Sequence, residues 1–509
     1  MLVKVKSIAN RGMQTFGVDV EVNISNRGIP GLEIVGLADK SVAESRDRVK
    51  TAFQNSGLQF PNKKITINLA PADLNKEGSF YDLPIATGLI CALLEVPVPE
   101  CSLFFGELSF DGSLRHTKSS FLLSLYAKEN NLNTIFVPQS CAKEAASIGG
   151  LSVYGVEDLS SLVDHLTGKN LIEKYCNLDS ENEAYFDKDS SEYNYVVGQG
   201  QAKRALQICA SGGHNLIMIG PPGSGKTMVA KSINSIIPDL SEEESIEVTK
   251  IYSLVGKIPP NFGLLKKRPF RSPHHTISYA GMVGGGNNPM PGEVTLAHRG
   301  ILFMDEFSEF SRQVIESLRQ PLENGKITVS RSRFSAEFPC RFTLIASSNP
   351  CPCGFYGDPN HQCTCTENKI KNYRAKLSGP ILDRIDIHVN VLPVEKKLLI
   401  KDSFSSSNET LDFIKNKVAN TRLIQQKRFK DEKIFTNSEI ANSQIDKFCS
   451  FGEGAKRLLE QAIDAYCLSA RAYFKIIRVA RTIADLDEKS DIEINHIAEA
   501  VQYRSKFFL

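Results

Sequence analysis

The sequence predicts an α/β chain with three structural units: an N-terminal α/β domain, a central P-loop core and a C-terminal helical domain. A glycine-rich phosphate motif at residues 220–227 stands between an apolar strand and a helix. Two later apolar strands end in polar side chains, as strands of one parallel sheet do at a ligand site. After residue 392 the pattern is helical in period. We therefore expect domains at 1–168, 194–392 and 393–509, with an acidic linker at 169–193.

The bulk composition is that of an ordinary globular chain. It has 509 residues and a formal net charge of +2, from 60 Lys and Arg against 58 Asp and Glu. A near-neutral total neither requires nor excludes nucleic acid, so any basic surface has to be local. The sequence has no apolar run long enough to predict a membrane span. The N-terminal stretch MLVKVKSIANRG lacks the apolar core of a signal peptide. We expect a cytoplasmic protein with no membrane partner.

Alternating apolar residues predict strands in the N-terminal domain. Every second residue is apolar from Val18 to Ile24 and again from Ile65 to Leu69, as in half-buried strands. Helices are expected at 39–57 and 82–94, followed by a strand-like stretch at 102–110.

The predicted linker contains a run rich in acidic residues, Ser and Asn, a composition typical of a solvated segment. Its acidic residues are Glu173, Asp179, Glu181, Glu183, Asp187, Asp189 and Glu192.

The phosphate motif reads GPPGSGKT and fits G-x-x-x-x-G-K-[ST]. Its glycines let backbone N–H groups turn toward phosphate oxygens, and the N-terminus of the following helix favours anions. We expect Lys226 to reach the β- and γ-phosphates and Thr227 to ligate Mg²⁺. The predicted nucleotide contacts are Gly220, Pro221, Pro222, Gly223, Ser224, Gly225, Lys226 and Thr227.

Two further strands predict the rest of a hydrolytic site. The apolar strand ILFM is followed by Asp305 and Glu306. Asp305 is expected to hold Mg²⁺ through water, and Glu306 to polarise the attacking water. The strand FTLIASS leads to Asn349, whose amide could fix that water. Because the carboxyl ends of parallel strands meet at one edge, these groups should share a site.

Together, the motifs GPPGSGKT, ILFMDEF, SSNP, ILDRIDIHV and RVARTIADL resemble those of the magnesium-chelatase-like AAA+ ATPases. RPFRSPHHTIS and NPCPCG are especially similar to the YifB/ComM competence-protein family, and the likeness covers nearly the whole chain. The resemblance implies an AAA+ core with a C-terminal helical lid. It also implies ATP hydrolysis with Mg²⁺ and a homo-oligomeric ring, a hexamer.

The resemblance implies roles for single residues. Asn349 resembles sensor 1. Arg384 resembles the arginine finger that reaches the γ-phosphate of the neighbouring subunit, and Arg478 resembles the sensor 2 arginine of the helical lid. An arginine supplied in trans stabilises transition-state charge and therefore requires an oligomer. The adenine-side segment of the family is matched by Val197, Gly198 and Gln199.

Residues 1–168 resemble the Lon-protease-like fold, also described as ribosomal protein S5 domain 2-like, through the segments NKEGSFY and GELSFDG. The positions of the nucleophilic serine and the dyad lysine fall on Phe80 and Phe121. Phenylalanine can neither attack a carbonyl nor accept a proton. Ser79 is adjacent to the nucleophile position, but no lysine is then in register. We expect a scaffold, or a collar that contacts DNA or a partner, rather than a protease.

Four cysteines form two C-x-C pairs, Cys351 with Cys353 and Cys363 with Cys365, and His361 lies between the pairs. In a reducing compartment such a cluster indicates a metal site before a disulfide. Four thiolates can close a tetrahedral Zn²⁺ site, and a site whose ligands are all from the protein is structural. C-x-C is tighter than the usual C-x₂-C spacing, so small buried loop cysteines remain the alternative.

Two insert-like segments separate the nucleotide motifs. The first, 250–298, contains a glycine-rich run at 281–286 and, before it, the basic residues Lys266, Lys267, Arg268, Arg271, His274 and His275. The second is a predicted hairpin that begins at Lys326 and contains Arg331 and Arg333, which alternate and so face one side. The resemblance implies that such insertions line a central pore, where these three side chains could track DNA phosphates. An ordinary exposed basic face is the alternative.

The family resemblance implies an ATP-driven hexameric DNA motor. It would be a branch-migration helicase acting in homologous recombination during natural transformation, on single-stranded or branched DNA and with recombination proteins as partners. A metal-chelatase-type ATPase and a protein-remodelling ATPase are the alternatives. The Lon-like domain and the C-x-C pairs favour the DNA motor.

Overall fold

The computed structural model describes residues 2–36, 39–73, 76, 78–176, 192–286, 289–330, 335–358, 361–394, 411–432, 434–466 and 468–504. Several sequence predictions fall on residues outside these ranges. They are Arg331 and Arg333 of the hairpin, Asn75 and Glu77 of the Lon-like segment, and residues 177–191 of the linker.

In the N-terminal part of the chain, helices pack on two sheets. The strands are β1 (Leu2–Arg11), β2 (Gln14–Ser25), β3 (Gly31–Val35), β4 (Lys64–Ala70), β5 (Ser102–Phe104), β6 (Glu107–Leu108), β7 (Leu114–Arg115), β8 (Thr134–Pro138) and β9 (Ser152–Val156). The helices are α1 (Lys40–Asn55), α2 (Asp82–Leu94), α3 (Ser120–Glu129), α4 (Ala142–Ala146) and α5 (Leu159–Leu166).

The first sheet has the order β1-β2-β4-β3, the second is the parallel sheet β5-β8-β9, and β6 pairs with β7 in a small antiparallel sheet. Val18, Val20 and Val22 of β2 are buried while the residues between them are not, so the predicted alternation is confirmed. Helix α2 is buried over residues 82–92 and packs on β1 and β2. This burial explains why its sequence is apolar on all sides. The predicted strand-like stretch at 102–110 forms two short strands, β5 and β6.

The central part of the chain is built on one five-stranded sheet. Its elements are α6 (Glu192–Tyr195), α7 (Gly200–Gly212), β10 (Leu216–Ile219), α8 (Lys226–Lys231), α9 (Glu242–Leu254), β11 (Phe270–Arg271), α10 (Tyr279–Val283), β12 (Gly284–Gly285), β13 (Met290–Pro291), α11 (Glu293–Leu296), β14 (Ile301–Met304), α12 (Arg312–Ser317), α13 (Arg319–Asn324), β15 (Lys326–Ser330), β16 (Ser335–Pro339), β17 (Thr343–Ser348), α14 (Glu367–Ala375), α15 (Gly379–Leu382) and β18 (Ile387–Asn390).

The order of the central sheet is β11-β14-β17-β10-β18, and every pair in it is parallel. Strands β10 and β14 are fully buried, as near-continuous apolar strands of a covered parallel sheet should be. The predicted strands near 214–219, 300–304 and 341–347 are confirmed as β10, β14 and β17. Their carboxyl ends lie at one edge, where the phosphate motif, Asp305 and Asn349 follow them.

The C-terminal part is helical, as predicted for the residues that the structure describes there. Its helices are α16 (Leu411–Arg428), α17 (Ile445–Phe448), α18 (Glu453–Tyr466), α19 (Ala470–Leu486) and α20 (Ile494–Gln502). Helices α16 and α19 pack on α7 of the central part. A buried polar contact joins α19 to the segment that follows α7, since the His214 ring lies 2.7 Å from the Thr482 hydroxyl. Short 3₁₀ turns occupy Gln139–Cys141, Ser232–Ser235, Phe307–Glu309, Asn437–Glu439 and Asn442–Gln444.

The N-terminal part docks on α9 of the central part. The Ser119 amide donates to the Ser253 carbonyl at 3.1 Å, and the Ser253 hydroxyl donates to the buried Glu144 carboxylate at 2.5 Å. Leu122 of α3 lies in a buried cluster otherwise formed by residues of the central part. Polar and apolar contacts together hold the two parts at this surface.

Among the helices that the structure describes, none combines the length and apolarity needed to cross a bilayer.

Candidate active site

The phosphate loop joins β10 to α8 and curls around the ammonium group of Lys226. The Lys226 Nζ donates to the carbonyl oxygens of Gly220 and Pro221, at 2.8 Å each. Gly223 and Gly225 have φ angles of 76° and 85°, which glycine adopts without steric cost. These glycines let the loop close tightly enough to hold the ammonium group at its centre.

Burial shifts the pKa of Lys226 away from its ordinary value. It lowers the pKa of the ammonium to about 8, while the charges of Asp305 and Glu306 act in the opposite direction. The hydrogen-bond acceptors around Nζ are neutral carbonyl, hydroxyl and amide oxygens. A buried cation without a bonded anion is costly, so this pocket favours an anionic ligand such as a phosphate.

Thr227 and Asp305 lie together beside the phosphate loop. The Thr227 hydroxyl donates to Asp305 Oδ2 at 2.8 Å, and the Ser347 hydroxyl donates to Asp305 Oδ1. A hydroxyl and a carboxylate next to a phosphate site form the hard oxygen set that Mg²⁺ prefers. The residues present therefore fit a magnesium ion shared with a bound nucleotide.

Glu306 lies just after the end of β14. Its φ is 51°, in the left-handed region, and its side chain is exposed. The carboxylate Oε2 lies 3.7 Å from Nδ1 of His275, a residue of the loop that follows the neighbouring strand β11. The left-handed turn after β14 therefore leaves the Glu306 carboxylate exposed, next to Asp305 in the chain.

Asn349 and Gln199 complete the surroundings of the phosphate loop. The Asn349 Oδ1 lies 3.3 Å from Lys226 Nζ. The Gln199 Nε2 donates to the carbonyl oxygens of Ser224 and Leu392, at 3.3 and 2.7 Å. Gln199 therefore ties the Val197–Gln199 segment to the phosphate loop. The structure brings Gln199, Lys226, Thr227, Asp305, Glu306 and Asn349 together at the phosphate loop, whereas Arg384 and Arg478 lie elsewhere.

Arg384 and Arg478 meet elsewhere, at a cavity of about 460 Å³. Its described lining does not include the phosphate loop, Asp305, Glu306 or Asn349. Within the described part of the chain, the Nε groups of both arginines are buried and find no acceptor. The cavity is rich in basic side chains, namely Arg268, Arg299, Arg341, Arg384, Arg422, Arg471, Lys475 and Arg478. The lining also contains Glu244, Glu323, Asp386 and Glu439, so basic side chains outnumber acidic ones there by eight to four.

The four cysteines come together although their pairs are separated in sequence. The Sγ atoms of Cys351, Cys353, Cys363 and Cys365 all lie within 4.8 Å of one another. Three of the Sγ–Sγ distances are 3.3, 3.5 and 3.7 Å. Tetrahedral zinc with Zn–S bonds of about 2.3 Å needs thiolates about 3.8 Å apart, so the residues present fit that ion.

The cysteine loop also contacts the phosphate loop. A Cβ atom on Gly354 would lie 2.6 Å from Pro222 Cδ, so only glycine permits this approach. The Arg374 guanidinium lies over the Tyr356 ring, 4.8 Å from its centroid. The loop is therefore packed between the phosphate loop and α14.

The predicted hairpin is confirmed as β15 paired with β16. Lys326 lies at the base of the hairpin and pairs with Glu337 at 2.8 Å, and both side chains are exposed. Gly12, in the turn between β1 and β2, packs against the hairpin, since an added Cβ would lie 3.1 Å from Ala336 Cβ. The hairpin is thus supported by the N-terminal part of the chain.

The chain is similar to known proteins over nearly its whole length. The chain is 39% identical over 510 residues to the competence protein ComM of Haemophilus influenzae, which spans 99% of this chain and 97% of that protein. It is 40% identical over 514 residues to YifB of Salmonella typhimurium, again over 99% and 97% of the two chains. The chain belongs to the magnesium-chelatase-like AAA+ family of YifB and ComM.

Models of protein families match three segments of the chain and support its membership of this family. The model for magnesium chelatase, subunit ChlI, matches residues 192–399. Two others, for subunit ChlI of Mg-chelatase and for the ChlI C-terminal part, match residues 20–141 and 408–504. Similarity to a chelatase itself is narrower. The magnesium-chelatase 38 kDa subunit of Rhodobacter capsulatus is 26% identical over 176 residues, 31% of this chain and 50% of that protein.

In this YifB/ComM-family chain, the positions predicted to replace the Lon dyad are core residues. Phe80 stacks on Phe105 with ring centroids 4.5 Å apart, and Phe121 is completely buried in α3. The Ser79 hydroxyl donates to the Glu107 carboxylate. The phenylalanine side chains at these two positions can neither attack a carbonyl nor accept a proton.

Sequence reasoning missed two residues near the predicted groups of this family. His275 belongs to the partly basic segment 250–298, and nothing in the sequence indicates its place beside Glu306. Glu323 of α13 lies in no recognised motif, yet it forms an ion pair with Arg384 at 2.5 Å. Both contacts join segments that are distant in sequence, so only the fold reveals them.

Proposed function

We propose that this protein hydrolyses ATP at a site shared between neighbouring subunits of a hexameric ring. The observation that carries the proposal is the division of the predicted groups into two clusters. Lys226, Thr227, Asp305, Glu306 and Asn349 surround the phosphate loop, whereas Arg384 and Arg478 line a separate cavity. Two half-sites on one chain can form a complete site only when two chains meet.

In the proposed reaction, Lys226 binds the β- and γ-phosphates, and the loop amides bind the remaining phosphate oxygens. Thr227 and Asp305 would hold the magnesium ion, which supplies charge neutralisation when bound. Val197, Gly198 and Gln199 are proposed to border the adenine.

Glu306 is proposed to accept the proton of the attacking water. Its carboxylate is exposed, so it can reach a water in front of the γ-phosphate. Asn349 would orient that water, and Arg384 with Arg478 of the next subunit would stabilise the developing charge. Because the two arginines share one cavity, we propose that both act in trans.

We propose that hydrolysis drives movement on DNA, as a branch-migration helicase acting in homologous recombination during natural transformation. The full-length similarity to a competence protein supports this function. The hairpin adds a surface on which Lys326, together with Arg331 and Arg333, would contact backbone phosphates. Contacts to phosphates alone would make binding independent of sequence and sensitive to salt.

A metal-chelatase-type function is the second candidate, because the matching family models are those of chelatase subunits. The similarity to the magnesium-chelatase 38 kDa subunit of Rhodobacter capsulatus covers about a third of the chain, whereas the similarity to the competence protein covers 99% of it, which favours the DNA motor. Protein remodelling is the third candidate. Measuring ATP turnover with forked DNA, duplex DNA and an unfolded protein separates these functions. Strong stimulation by forked DNA supports the motor, and stimulation by the unfolded protein alone overturns it.

Zinc at Cys351, Cys353, Cys363 and Cys365 is proposed to be structural. The cysteine loop packs against the phosphate loop through the Gly354–Pro222 contact, so a bound zinc would hold the cysteine loop in that position. We propose that residues 1–168 act as a scaffold or collar of Lon-like fold, that 169–193 link them to the ATPase core at 194–392, and that 393–509 form the lid. We further propose a cytoplasmic location and recombination proteins as partners.

A further inference from the structure

The Arg384 side chain is bound by residues of its own subunit. Its side chain is 11% exposed, and its terminal nitrogens donate to the Pro380 carbonyl at 2.7 Å and to the Glu323 carboxylate at 2.5 Å. Arg384 lowers the pKa of the Glu323 carboxyl, so that the carboxylate is ionised at neutral pH. A guanidinium held by a carboxylate is partly neutralised and is fixed in the geometry of that pair.

Glu323 holds a second arginine at the same time. Its Oε1 accepts from Arg471 at 2.8 Å, while Oε2 accepts from Arg384. Arg471 belongs to α19, and Arg384 follows α15, so the carboxylate bridges the core and the helical part of the chain. Both arginines line the cavity in which the neighbour's phosphate is proposed to bind.

The position of Glu323 connects this bridge to the hairpin. Only Asn324 and Gly325 separate it from β15, which begins at Lys326. The Cys340 amide donates to the Gly325 carbonyl at 2.9 Å, so the two strands of the hairpin are joined at their base, next to the end of α13. A Cβ on Gly325 would lie 2.6 Å from Arg341 Cγ, which shows how little free space the hairpin base has. A displacement of the hairpin would therefore move α13 and Glu323 with it.

We propose that Glu323 is a positioning residue that holds Arg384 back until the hairpin is displaced by its ligand. The inference rests on the proposed function, because it takes Arg384 as the trans arginine and DNA as the hairpin ligand. In a ring without DNA, Glu323 competes with the neighbour's phosphate for Arg384. When DNA moves the hairpin, that competition weakens and hydrolysis at the neighbouring site is accelerated.

The test is Glu323→Gln in the full-length protein, since Gln keeps the shape and one acceptor but loses the charge. We expect the DNA-free kcat to rise roughly three- to tenfold, as for loss of one ordinary hydrogen bond. The KM for ATP should stay unchanged, and stimulation by forked DNA should shrink by the same factor. Glu323→Asp, which keeps the carboxylate, should stay nearer to the parent protein. Glu432→Gln is the matched control, because it breaks a similar ion pair, with Lys447, in the helical part of the chain.

An unchanged or lower DNA-free kcat in Glu323→Gln would overturn the inference. The double variant Glu323→Gln/Arg384→Ala should fall to the rate of Arg384→Ala alone, and a retained increase would also overturn it. Failure of the DNA function gives a different result. If forked DNA does not stimulate the parent protein while Glu323→Gln still raises kcat, the proposed ligand is wrong and the restraint on Arg384 stands.

Discussion

Lys226 and Asn349 meet at the carboxyl edge of the central sheet, with the lysine Nζ 3.3 Å from the asparagine Oδ1. This contact joins the phosphate loop to the end of β17, the strand that lies between β10 and β14 in the sheet. A phosphate bound to Lys226 would therefore also be sensed at Asn349, beside the group proposed to activate water. The same geometry leads to predictions about charge, turnover, metal content and subunit sharing.

ATP affinity should fall at alkaline pH. Burial lowers the pKa of Lys226 to about 8, and phosphate binding favours the protonated amine, so the affinity should be lost as pH rises above that value. While the bound form keeps its proton, Kd should rise by about tenfold per pH unit. Titration with a fluorescent ATP analogue across this range measures the effect. Lys226→Ala should lose binding, whereas Lys231→Ala, at the other end of α8, should bind normally. A flat pH profile would exclude the lysine as the main phosphate ligand.

Glu306→Gln should bind ATP and fail to hydrolyse it. The amide keeps the size of the side chain but cannot accept a proton from water, so ATP-bound rings should accumulate. Size-exclusion chromatography with ATP and Mg²⁺ should then detect a stable high-mass species, and product assays should show turnover reduced by at least about a hundredfold. Glu309→Gln is the control, since Glu309 pairs with Lys376 on the surface. Wild-type turnover in Glu306→Gln would remove Glu306 from the mechanism.

Purified protein should contain about one zinc per chain, held by the four-cysteine cluster. Cys363→Ser should lower the zinc content and weaken ATP binding, because the cysteine loop packs on Pro222. Cys101→Ser changes an exposed cysteine outside the cluster and should alter neither. Elemental analysis and nucleotide titration supply the two readouts. A zinc content that is already negligible in the parent protein would contradict the structural-zinc assignment.

The contact between the N-terminal and central parts should weaken as pH rises from acid to neutral. Desolvation raises the pKa of Glu144 from its ordinary value of 4.5 to about 7, so the folded state binds this proton more tightly than the unfolded state does. The corresponding stability is present below the unfolded pKa and is lost as pH rises through about 7.

Glu144→Gln provides the check on this pH dependence. The neutral amide can still accept from the Ser253 hydroxyl and the Phe121 amide but carries no titratable group. The difference in Tm between variant and parent should therefore increase from about pH 5 to about pH 8. A difference that does not change with pH would show that the buried carboxyl does not titrate in this range.

Local patterns predicted the elements that bear the nucleotide site. The apolar strands β10, β14 and β17 were predictable because a covered parallel sheet needs continuous apolar runs. The polar residues that follow these strands, Lys226, Asp305 and Asn349, were predicted to share a site because parallel strands present their carboxyl ends at one edge. The two C-x-C pairs predicted that the four cysteines would cluster, because four thiolates can close a tetrahedral Zn²⁺ site.

Contacts between distant segments could not be predicted in the same way. His275 reaches Glu306 because β11 lies beside β14, an arrangement that depends on strand order rather than on local periodicity. Glu323 reaches Arg384 and Arg471 because α13, the end of α15 and α19 converge at one cavity. The family motifs identified the two arginines Arg384 and Arg478, but only the fold separates them from the phosphate loop of their own chain.

Mixing two inactive variants tests the shared site most directly. Lys226→Ala should not bind ATP, and Arg384→Ala should bind ATP with turnover reduced about a thousandfold, as for loss of a trans arginine. In mixed rings, an Arg384→Ala subunit that binds ATP can receive the intact arginine of a Lys226→Ala neighbour. We therefore predict that mixing restores a substantial part of ATP turnover. If every mixture stays as inactive as the separate variants, while subunit exchange is demonstrated independently, the two half-sites do not act on one nucleotide.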